Sequence, residues 1–215
     1  MDILNKLNIK VKNEELYNQA FTHTSYSNEN EDCESYERLE FLGDAVLELI
    51  ISDYLYNEES LEEGIMTKMR ASYVCEEACA TYSRELGFTK YIRLGSGEIE
   101  ANETILADVF ESFVGATYLD QGIDFTKEMV LKIITKYMNK GTDFLHDYKS
   151  ELQELVQTVK KSVIYETIDE KGPAHDRIFT CQAKVDNIIM GVGTGSSKKQ
   201  AEQEAAKEAL SKQVK

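Results

Sequence analysis

The stretch YERLEFLGDAVLELI, Tyr36 to Ile50, reads as a helix that is acidic along one narrow stripe and apolar over most of the rest. At about 100° per residue, Glu37, Glu40, Asp44 and Glu48 fall within an arc of roughly 80°. Leu39, Phe41, Leu42, Ala45, Val46, Leu47, Leu49 and Ile50 take nearly all other positions. Like charges three and four residues apart on a helix repel one another. Something must offset that repulsion, either water along a surface edge or a cation held by the acids.

A second apolar stretch, ILADVFESFVGATYLDQG (Ile105–Gly122), carries Asp108 and Glu111 at i, i+3, flanked by Val109, Phe110, Phe113 and Val114. Either stripe alone has an ordinary reading as the wet edge of a surface helix. Two in one segment favour a different one. If the stripes face each other, the carboxylates need cations, and all-oxygen ligand sets suit Mg²⁺ or Mn²⁺ rather than Zn²⁺. A metal held this way polarises phosphoryl oxygens, activates water and steadies a leaving oxygen, which points to phosphate chemistry. The expectation fails if those side chains point apart with no common centre.

The totals fit a chain of one large domain or two ordinary ones: 215 residues, 42% hydrophobic, net charge −15. Such a charge argues against nucleic acid as a partner until its distribution is read. From His146 onward there are 11 Lys+Arg against 11 Asp+Glu; the first 145 residues hold the remaining 13 basic and 28 acidic. The whole deficit lies in the N-terminal part, which suggests two functionally different halves. Cys33, Cys75, Cys79 and Cys181 are too few and too scattered for a disulfide framework. Cys75 and Cys79 could share a helix face, where reduced, buried thiols are the plain reading and a metal pair the sharper one. Neither a secretory apolar region nor a membrane-spanning stretch is visible, so a soluble cytoplasmic protein with no membrane partner is expected.

Apolar residues recur at helical spacing in NEELYNQAF, ERLEFLGDAVLELIISDYLY, MTKMRASYVCEEACATYSRELG, ILADVFESFVGATYLDQG and FTKEMVLKIITKYM. Glycines in ELGF and LDQG stand where helices would end, and Tyr91–Thr104 reads as a loop. A boundary falls near Asn139–Asp147, giving an expected first domain over 1–143 and a second over 147–215. After it the period changes. DYKSELQELVQTVKK is a short helix capped by Asp147, SVIYETIDE and RIFTCQAKV alternate with period two, and NIIMGVGTG is a third strand. SSKKQAEQEAAKEALSKQ is alanine-rich and helix-forming.

YERLEFLGDAVL resembles the signature of the ribonuclease III family. The resemblance continues through AFTHTSYSNE, EGIMTKMRA (Glu63–Ala71) and ILADVFESFVGATYLDQG, and covers essentially the whole chain. It implies a multi-domain fold: an all-α endonuclease domain that dimerises, then a small α+β (α-β-β-β-α) double-stranded RNA-binding domain. The implied activity is Mg²⁺-dependent hydrolysis of duplex RNA, with Mn²⁺ able to substitute. By position, Glu40, Asp44, Asp108 and Glu111 match the family's metal-binding acids, with Asp44 and Glu111 catalytic and Glu111 holding the catalytic metal directly. Glu37 and Glu63 match acids near the cleavage cleft with less direct roles, while Glu48 reads as solvated. His23, in THTS, reads as structural rather than as a general base, because metal-bound water supplies the nucleophile. Ser96 stands where the family often has lysine and Thr104 where serine is common; neither change removes a matched acid.

The C-terminal order, with DYKSELQELVQ, GPAH and GSSKKQAEQEAAKEAL, resembles a double-stranded RNA-binding domain. Such domains span about 16 base pairs by touching two successive minor grooves. The resemblance places Ser150, Gln153, Glu154 and Gln157 in one minor groove and His175 in the next, with Lys198 and Lys199 on the phosphates between. The last two sit at a helix start whose amides also favour anions. Without the resemblance, Gln153 and Glu154 would read as a solvated helix face. GVGTG (Gly191–Gly195) fits neither the dinucleotide nor the P-loop spacing.

Overall fold

The computed structural model describes residues 1–30, 32–57, 61–97, 100–172 and 177–213. They form two compact units, Met1–Leu145 and His146–Lys215.

The first unit is helical: α1 (Asp2–Lys6), α2 (Glu14–Ala20), α3 (Thr24–Glu29), α4 (Glu37–Asn57), α5 (Glu63–Val74), α6 (Glu76–Leu86), α7 (Glu103–Gln121) and α8 (Ile123–Asn139), with a 3-10 turn over Phe88–Tyr91. Its core is built around α7, which buries residues on every side, from Ile105 to Asp120. A helix apolar all round belongs inside, and α4, α6, α2 and α8 pack around it. Phe21, Phe88, Phe110 and Phe113 fill the centre, all fully buried.

Two glycines set how closely α4 and α7 approach. A Cβ on Gly43 would lie 1.8 Å from the Glu111 carbonyl oxygen, and one on Gly115 would lie 2.4 Å from that of Leu39. No other residue allows this contact between backbones. It is the contact that sets the acidic residues of the two helices opposite each other. At the far end of α7, the buried Asp120 carboxylate accepts from the Asn13 amide at 2.8 Å and the Tyr17 hydroxyl at 3.0 Å. These bonds satisfy a charge that would otherwise be costly inside the fold.

The stretch MTKMRASYVCEEACATYSRELG is two helices rather than one. The backbone turns extended at Cys75 (φ −71°, ψ 162°), which ends α5 and caps α6. No proline or glycine marks the break. The new helix start places Glu76 and Glu77 in a first turn, where the helix dipole favours acids. The glycine stops are as read: Gly87 (φ +71°) ends α6 and Gly122 (φ +86°) ends α7.

The second unit runs α9 (Tyr148–Gln157), β1 (Val163–Lys171), β2 (Ile178–Val185), β3 (Ile188–Gly195) and α10 (Lys198–Gln213), with an antiparallel sheet in the order β1-β2-β3. The Asp147 side chain caps α9 by accepting from the Ser150 amide at 3.1 Å. Asp186 and Asn187 turn the second hairpin with positive φ (+51° and +64°), as a two-residue turn between twisted strands requires. The glycines of GVGTG are a packing device. A Cβ on Gly191 or Gly193 would strike the α10 backbone at Ala205, at 2.1 and 2.2 Å. Ala201, Ala205, Ala206 and Ala209 are buried on the facing side, so helix and sheet touch with almost no side chain between them.

Candidate metal centre and nucleic-acid interface

Across the Gly43–Gly115 contact, α4 contributes Glu40 and Asp44 and α7 contributes Asp108 and Glu111. Asp44 is exposed, and the other three are half-buried. Burial raises the carboxyl of Glu40 to about 7, helped by the charges of Asp108, Glu37 and Asp44. Glu111 is raised to about 8, again by burial first and then by Asp44, Glu40 and Asp108. Asp108 is raised by burial and by Glu76, against a hydrogen bond from Tyr36 and the charge of His23. The four acids therefore share one electrostatic neighbourhood, as opposing stripes should.

They do not form a closed cage. Among the described residues, no three His, Cys, Asp or Glu side chains converge tightly enough to enclose a metal ion. The expected common centre of side-chain tips is not formed among the described residues; the helices that carry the acids do approach closely, at Gly43 and Gly115. Carboxylates this close repel, so drawing the tips together requires a cation between them. The donor set fits one: it is oxygen only and anionic.

The remaining acids of the first unit are placed differently. Glu37 is exposed at the start of α4 and acts on Glu40 by charge. Glu48 is exposed on the same helix. Glu63, on α5, accepts from the Thr67 hydroxyl at 3.1 Å. It lines a cavity of about 410 Å³ with Leu49, Tyr56, Met66 and Arg70, alongside the second half of α4 and away from the four acids. His23 caps α3, its Nδ1 accepting from the Ser25 amide at 3.2 Å. The Ser96 hydroxyl donates to Glu29 at 2.8 Å, and the Thr104 hydroxyl donates to Glu76 at 3.1 Å. Both departures from the family pattern thus have internal partners.

Two side chains at the acids carried no warning in the sequence. The Tyr36 hydroxyl donates to Asp108 Oδ2 at 3.0 Å. The buried Cys79 thiol donates to the Val74 carbonyl at 3.7 Å, and burial first, then the charge of Glu111, pushes it well above the usual thiol range. Tyr36 and Asp108 are 72 residues apart, and no local spacing reveals such a pair. The helical spacing of Cys75 and Cys79 could have raised only the metal-pair idea. Instead, the Cys75 thiol donates to the Ser72 carbonyl at 3.2 Å.

In the second unit, Ser150, Gln153, Glu154 and Gln157 lie along one side of α9, and all but the half-buried Gln153 are exposed. Two already have partners: the Ser150 hydroxyl donates to Asp147 at 2.6 Å, and Gln153 Oε1 accepts from the Val163 amide at 3.2 Å. Lys198 pairs with Glu170 at 3.0 Å, and Lys199 is exposed beside it in the first turn of α10. His175 lies outside the described residues.

The profile of the family described as Ribonuclease-III-like matches residues 13–138, and that of the double-stranded RNA binding motif matches residues 148–213. The chain is 48% identical to Ribonuclease 3 of Halalkalibacterium halodurans, over 97% of this chain and 83% of that one. It is 48% identical to Ribonuclease 3 of Listeria monocytogenes, over 94% and 93%. The chain belongs to the ribonuclease III family. Among solved structures, the ribonuclease III nuclease domain of Campylobacter jejuni is similar at TM-score 0.58 and 32% identity, covering 62% of this chain and 94% of that one. That structure is described as showing flexibility in a region involved in dimer formation. The chain is thus a ribonuclease III enzyme, with an all-helical nuclease unit followed by an α-β-β-β-α RNA-binding unit. Among its described residues, no helix is long and apolar enough to cross a membrane.

Proposed function

We propose that this ribonuclease III is a Mg²⁺-dependent endonuclease that cuts both strands of duplex RNA as a homodimer, leaving 5′-phosphate and 3′-hydroxyl ends. The observation that carries the reading is the Gly43–Gly115 contact, which sets Glu40 and Asp44 against Asp108 and Glu111 in a chain that also contains an RNA-binding unit. In this reading Glu40, Asp44, Asp108 and Glu111 supply the oxygen ligands of the centre, with Asp44 and Glu111 nearest the reacting phosphate. A bound divalent cation supplies phosphoryl polarisation and an activated water; Mn²⁺ supports the same chemistry. Glu37, beside Glu40, and Glu63, on α5 and farther from the four acids, take less direct roles near the cleft.

The α9 face and His175 meet successive minor grooves, and Lys198 and Lys199 meet the phosphates between them. Such contacts read shape and 2′-hydroxyls rather than sequence. The reading also places the enzyme in the cytoplasm, processing ribosomal and messenger RNA precursors.

Dimerisation has its own physical support. Phe41 is 82% exposed, Leu49 58% and Tyr56 79%. With Ala45 and Ser52, they form one stripe of about 80° on α4, next to the acidic stripe and continuous with the cavity at Glu63. A contiguous apolar stripe on a surface marks an interface, and a second copy would bring its own acids to cut the second strand.

The test is incubation with a long, perfect RNA duplex, with and without Mg²⁺, beside a Glu111→Ala variant. Wild type should cut only with metal, and the variant should bind without cutting. Binding without cutting by both proteins would leave an RNA-binding protein on a nuclease scaffold. Failure of both to bind duplex would point to small phosphorylated substrates. In sedimentation, wild type should run as a dimer and Phe41→Glu as a monomer; two identical profiles would remove the dimer from the reading.

A further inference from the structure

We propose that Tyr36 is a positioning residue of the metal centre, its hydroxyl fixing one oxygen of Asp108 and leaving the other as that carboxylate's donor to the cation. The inference rests on the reading above, in which Asp108 is a metal ligand.

Tyr36 is held on all sides. Its side chain is in the core, with only 3% of the residue exposed. Its amide donates to the Thr22 carbonyl at 2.9 Å, and its own carbonyl accepts from the Leu39 and Glu40 amides at 2.8 and 2.9 Å, which starts α4. Its ring lies against His23, with centroids 5.7 Å apart and planes at 54°, and His23 is in turn fixed by its cap on α3. A phenol anchored in this way presents its hydroxyl at one point, 3.0 Å from Asp108 Oδ2.

The chemistry suits a support rather than a competitor. A lysine or arginine at this place would neutralise Asp108 and repel an incoming cation. A neutral hydroxyl orients the carboxylate and leaves its charge in place. It also ties the first turn of α4 to α7, so one hydrogen bond holds a ligand from one helix in register with Glu40 on the other. Groups that orient a metal ligand typically change metal affinity by about 10- to 100-fold when removed.

The experiment is a calorimetric Mn²⁺ titration of the full-length chain without RNA, over a double-mutant cycle of Tyr36→Phe and Asp108→Ala. Thermal unfolding in metal-free buffer is recorded for each protein. Tyr36→Phe should weaken Mn²⁺ binding roughly 10-fold in the wild-type background and should change nothing further in the Asp108→Ala background. Its metal-free unfolding midpoint should stay within about 4 °C of wild type. Unchanged Mn²⁺ affinity in Tyr36→Phe, or the same loss in both backgrounds, would overturn the assignment. A collapse of the metal-free midpoint would also overturn it, by making the hydroxyl part of the core. Wild type that takes up no Mn²⁺ at all would instead defeat the parent reading, and this one with it.

Discussion

Glu40 and Glu111 carry the most informative perturbation in the molecule. Both are raised, to about 7 and about 8, by burial first and then by neighbouring carboxylates, Asp108 and Asp44 among them in each case. An unfolded glutamate titrates near 4.3, so between roughly pH 4.3 and 8 the folded chain holds protons that the unfolded chain has released. Stability from these groups is fully present below the unfolded value and is lost as pH rises through 7 and 8. In chelator, the unfolding midpoint should therefore fall from pH 5.5 to 8.5, and Mg²⁺ should recover it at the upper end. Glu111→Gln should flatten the profile. A midpoint that is constant or rises with pH in chelator would contradict the assignment. The acids themselves were legible in the sequence because helical spacing and the family signature both live there. Tyr36 and Cys79 were not, since each acts across a tertiary contact that has no period.

At the scale of elements, the approach of α4 to α7 depends on having hydrogen where other residues have a side chain. Gly43→Ala gains up to about 1 kcal/mol of helix propensity, yet its Cβ would stand 1.8 Å from a backbone oxygen that cannot move alone. The helices must part, at about 1–3 kcal/mol or more, and the two acid faces part with them. Calorimetric unfolding should show a net loss of stability, and Mg²⁺ should protect the variant less than wild type. A variant as stable as wild type and equally protected would show that the contact does not set the site. The sequence was readable here in part. Helical runs, glycine stops and the Asp147 cap follow from local rules, but the break at Cys75 does not, because it serves the placement of α6 rather than any local preference. GVGTG could be excluded as a nucleotide loop from its spacing alone. Its packing role on α10 became visible only once β3 and the alanines of α10 were seen in contact.

Across the whole molecule, charge is divided by task. The surplus of acid lies before His146, and the balanced remainder carries Lys198 and Lys199. An acidic nuclease unit alone has little to attract a phosphate backbone, so most of the grip on RNA falls to the second unit, and affinity should fall as salt rises. A chain ending at Leu145 should cut duplex RNA at low salt and lose nearly all activity at physiological salt, where the full chain still cuts. Equal activity of the two at every salt concentration would contradict this division. The most direct measurement of the central claim is anomalous diffraction from crystals of the full chain soaked in Mn²⁺. The account predicts a peak between α4 and α7, within coordination distance of carboxylate oxygens from Glu40, Asp44, Asp108 and Glu111. Peaks only elsewhere on the molecule, with those four acids unchanged, would contradict it.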